Sequence, residues 1–112
     1  MKWQIRQVGI EHSRPLAGHA QRKVVEPLAR MTGSVRRVLV RLKSGDRDRA
    51  RGGCGAAVLV TLSDGGTVHV DAWSDNHYAA IEDVSDRVRH VVSQRIERSR
   101  DRRRRSGRRR AA

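Results

Sequence analysis

Arginine is the residue type in this chain dense and patterned enough to do chemistry, and the chemistry it offers is the capture of anions. From Arg98 to Ala112 the chain reads RSRDRRRRSGRRRAA, nine Arg against one Asp, which supplies +8 of a formal net charge of +13. The guanidinium is always protonated, and its fork of N–H donors fits phosphate oxygens bidentately. Such a run is a phosphate-seeking arm, and a nucleic acid is the polyanion it fits first. Arg98, Arg102, Arg103, Arg104 and Arg105 are its candidate RNA contacts. Upstream, Arg22 and Lys23 fall on the first expected helix, and Arg37, Arg41 and Lys43 line one face of a strand. Arg87, His90 and Arg98 fall along one flank of the second expected helix. Each cluster alone reads as a solvated face. Together with the tail they would form an uncompensated positive surface lacking a partner, which joint binding of a phosphate backbone explains better.

Other reactive constellations are missing. The five His (His12, His19, His69, His77, His90) are scattered, with no two close in sequence beside a cysteine, so surface or half-buried histidines are expected rather than a metal site. Arg51-Gly52-Gly53-Cys54-Gly55 lacks the Gly-Lys-Ser/Thr ending of a phosphate loop and precedes a strand rather than a helix, so it reads as a connector. Glu82, Asp83 and Asp86 are expected in the first turns of the second helix, where they would complement its dipole. No catalytic residue, metal ligand, cofactor or small-molecule substrate is assigned, and no enzyme is expected.

A chain of 112 residues has room for one domain, expected over 1–97, and a tail over 98–112 expected as a disordered arm or an extension of the last helix. With no Phe, two Trp (Trp3, Trp73) and one Tyr (Tyr78), the core must be built from Val, Leu, Ile and Ala. That composition argues against sheets that stack bases on paired aromatics, so a bound nucleic acid would be read through backbone and shape. Cys54 has no partner for an internal disulfide, which fits a reducing cytoplasm. No segment resembles a signal peptide or spans a membrane, and the Arg-rich end lacks the apolar face that a membrane-surface helix needs.

Trp3 and Ile5, alternating with Gln4 and Arg6, predict a strand over Lys2 to Val8. Ser13 as N-cap and Pro15 near the start, followed by Leu16, Ala20, Val24 and Leu28, predict a helix over about Arg14 to Arg30. Gly18 should weaken it and Pro27 should kink or shorten its last turn. Three strands follow: Val35 to Lys43, with Val38, Val40 and Leu42 facing away from Arg37, Arg41 and Lys43; the apolar Ala56 to Leu62; and Thr67 to Trp73, entered by the hairpin signal Ser63-Asp64-Gly65-Gly66. They are expected as an antiparallel meander, with Ser44 to Gly55 a loop. Asp75 is the expected cap of the second helix, whose stripe of Tyr78, Ile81, Val84, Val88, Val91 and Val92 predicts departure from the body at about Val92. The order β-α-β-β-β-α predicts an α+β fold, a four-stranded sheet with both helices on one face.

Ser74 to Asp83 (SDNHYAAIED), with its Val84, Val88, Val91 stripe and basic residues, resembles the acidic-x-x-Tyr-x-Ala-Ile-Asp signature of the ribosome hibernation promoting factors. That family includes the ribosome-associated inhibitor and has also been labelled sigma-54 modulation protein. Val8-Gly9-Ile10-Glu11 with Ser13 is similar to the family's start, and the resemblance extends from Met1 to about Ile96. It implies a domain that binds rRNA of the small ribosomal subunit in the mRNA and tRNA channel and blocks translation by occupancy. Arg22 and Lys23 match a basic pair of the first helix, Arg87 a basic position of the second, and Tyr78 the signature tyrosine, read as packing near the helix start. His90 and Gln94 stand where arginine and lysine are common, Gly18 and Pro27 are unusual, and the Arg tail lies outside the pattern. The chain has no room for the C-terminal domain of long members, so a short form is implied. The competing readings are a general RNA or DNA binder acting through backbone contacts and a regulator of another protein; the tail disfavours the latter.

Overall fold

Alternating apolar and polar residues over 2–8, 35–44 and 67–74, with the apolar run over 54–62, become the four strands of one sheet in the computed structural model, which describes residues 1–31, 33–45 and 53–111, the side chains of Ser106 and residues 108–111 excepted. The strands are β1 (Lys2–Val8), β2 (Val35–Ser44), β3 (Cys54–Leu62) and β4 (Thr67–Ser74). They lie in the order β1-β2-β3-β4. β2, β3 and β4 form the expected antiparallel meander, with Val38 opposite Val60 and Val58 opposite Val70. β1 lies parallel to β2, pairing Trp3 with Val38 and Ile5 with Val40, so the segment between them is a helical crossover. The expected loop over Ser44 to Gly55 falls mainly on residues 46–52, outside the described residues.

The crossover starts where the capping residues place it. Ser13 is extended (φ −130°, ψ 116°), and its Oγ accepts from Leu16 N at 3.3 Å. The Gln7 side chain at the end of β1 donates to Ser13 O and accepts from Ser13 N, both at 2.9 Å, which anchors the helix start to the sheet. The helix then runs as α1 (Arg14–Ala20), a π-helical turn (Gln21–Val25) and α2 (Glu26–Ala29). Pro27 neither kinks the segment apart nor ends it early. Its ring would press on the Lys23 carbonyl in a regular α-helix, and the turn ahead of it widens by one residue, with Glu26 N bonding Gln21 O. Gly18 sits beneath Arg22, whose Nη1 lies 3.2 Å from where a Cβ would stand.

Leu16, Ala20, Val24 and Leu28 of the crossover meet Val38, Val40 and Leu42 of β2, Val58 and Val60 of β3, and Ile81, Val84, Val88 and Val92 of the last helix in one cluster. Both helical layers therefore cover the same face of the sheet, and the other face stays open. Removing this apolar surface from water is the main stabilising term, near 25 cal/mol per Å². Trp3 remains 46% exposed because β1 is an edge strand that the crossover covers only in part.

The last helix, α3 (His77–Ala111), begins one residue later than expected. Asn76, not Asp75, caps it: Asn76 Oδ1 accepts from Ala79 N at 2.8 Å. Glu82, Asp83 and Asp86 lie beyond the first turn, where the dipole is weak. Glu82 and Asp86 pair with cations instead. Nor does α3 leave the body at Val92. Ile96 packs against the core, and Arg95, Ser99 and Arg103 border a shallow cleft with Ser34 and Asp64 of the neighbouring turns. At 35 residues, α3 dominates the molecule's 58 Å longest dimension. Its backbone continues as helix through the Arg-rich segment.

Candidate nucleic-acid interface

The candidate cations divide into three surfaces, because three different elements carry them. On the helical layer, Arg22 and Lys23 occupy the π-helical turn opposite the buried Val24 and Val25, so they point away from the sheet. Lys23 Nζ lies 3.5 Å from Glu82 Oε1 on α3, with both side chains about half exposed (49% and 48%). An exposed pair of this kind contributes about 0–1 kcal/mol, little enough for a phosphate to displace the carboxylate. His19 Nε2 also approaches Glu82 Oε1, at 3.2 Å, and its ring meets Tyr78 edge-on with centroids 4.9 Å apart. Tyr78 thus packs near the start of α3, as the resemblance implied, while 46% of its surface remains exposed.

On the open face of the sheet, Arg37, Arg41 and Lys43 project from β2, as the alternation required. The register adds two residues that sequence reasoning missed. Lys2 stands beside Arg37 and Arg6 beside Arg41. Their signal was present in the alternation of β1, but nothing local reveals that β1 adjoins β2. Among the described residues, Lys2, Arg6, Arg22, Arg37 and Arg41 form no side-chain ion pair or hydrogen bond. Lys43 is held differently: its Nζ lies 5.2 Å from the centroid of the Trp73 ring, a cation–π contact. That ring lies flat over the backbone of β3 and the β2 exit, where a Cβ on Gly55 or Gly45 would come within 2.9 Å of it. His77 Nε2 is 3.1 Å from Lys43 O and ties the start of α3 to the same corner.

The third surface is the flank of α3 beside β4. Arg87 Nη1 donates to Asp71 O at 3.1 Å, which seats the guanidinium on the open edge of β4. At about 100° per residue, Arg105 falls in line with Arg87, and Arg98 lies about 20° and Arg102 about 60° to one side of it. His90 sits about 60° to the other side of Arg87 and faces solvent, so it borders the same strip of the helix. Arg103 and Arg104 project elsewhere around the rod. Asp101 is the acid within the Arg98–Arg105 stretch, and Arg89, which was not a candidate, is engaged by Asp86 at 2.6 Å.

The arrangement can bind extended anions through backbone contacts on more than one side. Among the described residues no group of His, Cys, Asp and Glu is placed to hold a metal ion, and no helix is long and apolar enough to cross a membrane. Cys54 Sγ rests 3.6 Å from Asp75 O at the start of β3.

Comparison with known proteins is consistent with this architecture. The fold is similar to that of a ribosomal subunit interface protein from Coxiella burnetii, with a TM-score of 0.70 at 17% identity over 87% of this chain and 99% of that one. It is also similar to the N-terminal domain of Protein Y from Thermus thermophilus, with a TM-score of 0.64 at 22% identity over 83% of this chain and 93% of that one. No curated protein matches the sequence. A family match covers residues 3–103, past the Ile96 limit of the motif resemblance and into the Arg-rich segment. The chain therefore belongs to the family described as Sigma 54 modulation protein / S30EA ribosomal protein.

Proposed function

We propose that this protein is a ribosome-associated hibernation factor that binds rRNA of the small subunit in the mRNA and tRNA channel and blocks translation by occupancy, without catalysing a reaction. The observation that carries the reading is a folded domain of this family whose surface cations Arg22, Arg37 and Arg41 find no acceptor within the described chain. Exposed charges without counter-charges repel one another, and a phosphate backbone both neutralises them and releases counterions. Residues 1–97 supply the shaped body that fits the channel, and residues 98–112 supply an arm that adds affinity with little choice of sequence. The cytoplasm is the compartment where such a factor would meet its target.

The test is co-sedimentation of the purified protein with small subunits, large subunits and whole ribosomes at moderate and high salt, with bulk tRNA as competitor. Saturable, salt-resistant association with the small subunit that tRNA does not titrate away is expected. Association spread over both subunits and abolished by salt or tRNA would refute the proposal in favour of a general polyanion binder.

A further inference from the structure

The open face of the sheet gathers positive charge from two neighbouring strands. β1 runs parallel to β2 with Lys2 opposite Arg37 and Arg6 opposite Arg41, two like-charge pairs on neighbouring strands. Such pairs destabilise a sheet unless an anion lies between them. Strand spacing is near 4.8 Å and four residues span about 13 Å, so these cations mark the corners of a narrow rectangle. Lys43 extends it toward Trp73, and among the described residues the one carboxylate that the register places on the same face is Asp71, on β4 at the far edge.

Arg22 and Lys23 lie on the opposite side, above the helical layer. The shortest extent of the molecule is 17 Å, beyond a Debye length of about 8 Å in physiological salt, so anions on the two faces scarcely sense each other. We propose that the open sheet face, through Lys2, Arg6, Arg37, Arg41 and Lys43, binds the phosphate backbone of a second RNA segment while the helical layer holds the first, making the domain a bridge between two RNA segments. The inference rests on the RNA-binding reading above. The face reads backbone and not bases, because its one large aromatic, Trp73, is laid against Gly45 and Gly55 and attended by Lys43.

The experiment uses the full chain carrying Trp3→Phe, which leaves Trp73 as the sole tryptophan and a reporter on the sheet face. It is titrated with a short RNA duplex, and bridging is read as energy transfer between donor-labelled and acceptor-labelled copies of that duplex. The expected result is a change in Trp73 emission together with energy transfer. Both should fall to the level of RNA alone in Lys2→Glu/Arg6→Glu, which still binds one duplex through the helical layer and keeps its circular dichroism and melting temperature. Energy transfer that persists in that variant, or Trp73 emission that does not respond as RNA saturates the protein, overturns the bridge while leaving RNA binding in place. A full chain that binds no duplex at low salt overturns the RNA-binding reading and the bridge with it.

Discussion

Arg98, Arg102 and Arg105 follow Arg87 along one flank of α3, so replacing the three by Gln should remove a line of phosphate contacts and leave the fold intact. Gln matches Arg closely in helix propensity, and the three side chains are exposed, so the stability change should stay within about 0.5 kcal/mol. From Arg87 to Arg105 the helix makes five turns over about 27 Å, long enough to follow a phosphate backbone. Each phosphate contact contributes about 0.7–0.9 to the slope of log K against log salt, so losing three should flatten it by roughly 2–3. Between low and fourfold higher salt, the unaltered protein should then lose about 20- to 40-fold more affinity than the variant. The assay is small-subunit binding by fluorescence anisotropy across a salt series, with melting temperature as the control. An unchanged slope with an unchanged fold would refute the assignment of this flank to phosphate.

Arg22→Glu combined with Arg87→Glu should weaken small-subunit binding by about 3 kcal/mol, since charge-assisted hydrogen bonds contribute about 1.5–3 kcal/mol each, and co-sedimentation would register the loss. Equal binding would place the affinity in the Arg-rich arm. Gly55→Ala brings a Cβ to 2.9 Å from the Trp73 ring, and displacing that ring should cost about 1–3 kcal/mol and alter tryptophan emission. A melting temperature and spectrum like the parent's would contradict the packing described. Asn76→Ala should lower stability by about 1 kcal/mol, while Asp75→Ala should be near neutral; chemical denaturation with the ranking reversed would return the cap to Asp75.

Much of the fold was legible because strands and helices leave local periodicities. Val38, Val40 and Leu42 opposed to Arg37, Arg41 and Lys43 required a strand with one basic face, and Asp64-Gly65-Gly66 required a tight turn, where Gly65 takes φ 92°. The apolar stripe of α3 and the Ser13 cap were equally plain. Legibility failed where a residue's role depends on a neighbour distant in sequence. Asp75 and Asn76 are both good caps by residue type, and the start of α3 chose between them. Glu82 reads as a dipole partner until the crossover brings Lys23 and His19 against it. Pro27 reads as a breaker, yet packing of Val24, Val25 and Leu28 into the core favours a widened turn over a break.

The candidate site divides along the same line. Residue types alone established that the chain carries a large excess of arginine, a residue whose chemistry suits phosphate, and that its last helix bears the signature of its family; these follow from charge and from spacing within one element. Which cations lie together was settled by folding. The crossover laid β1 parallel to β2, which set Lys2 and Arg6 beside Arg37 and Arg41, and the burial of both helices on one face put Arg22 and Lys23 on the other side of the molecule. Strand pairing and layer order arise from long-range burial of apolar surface, and no window of sequence contains that information.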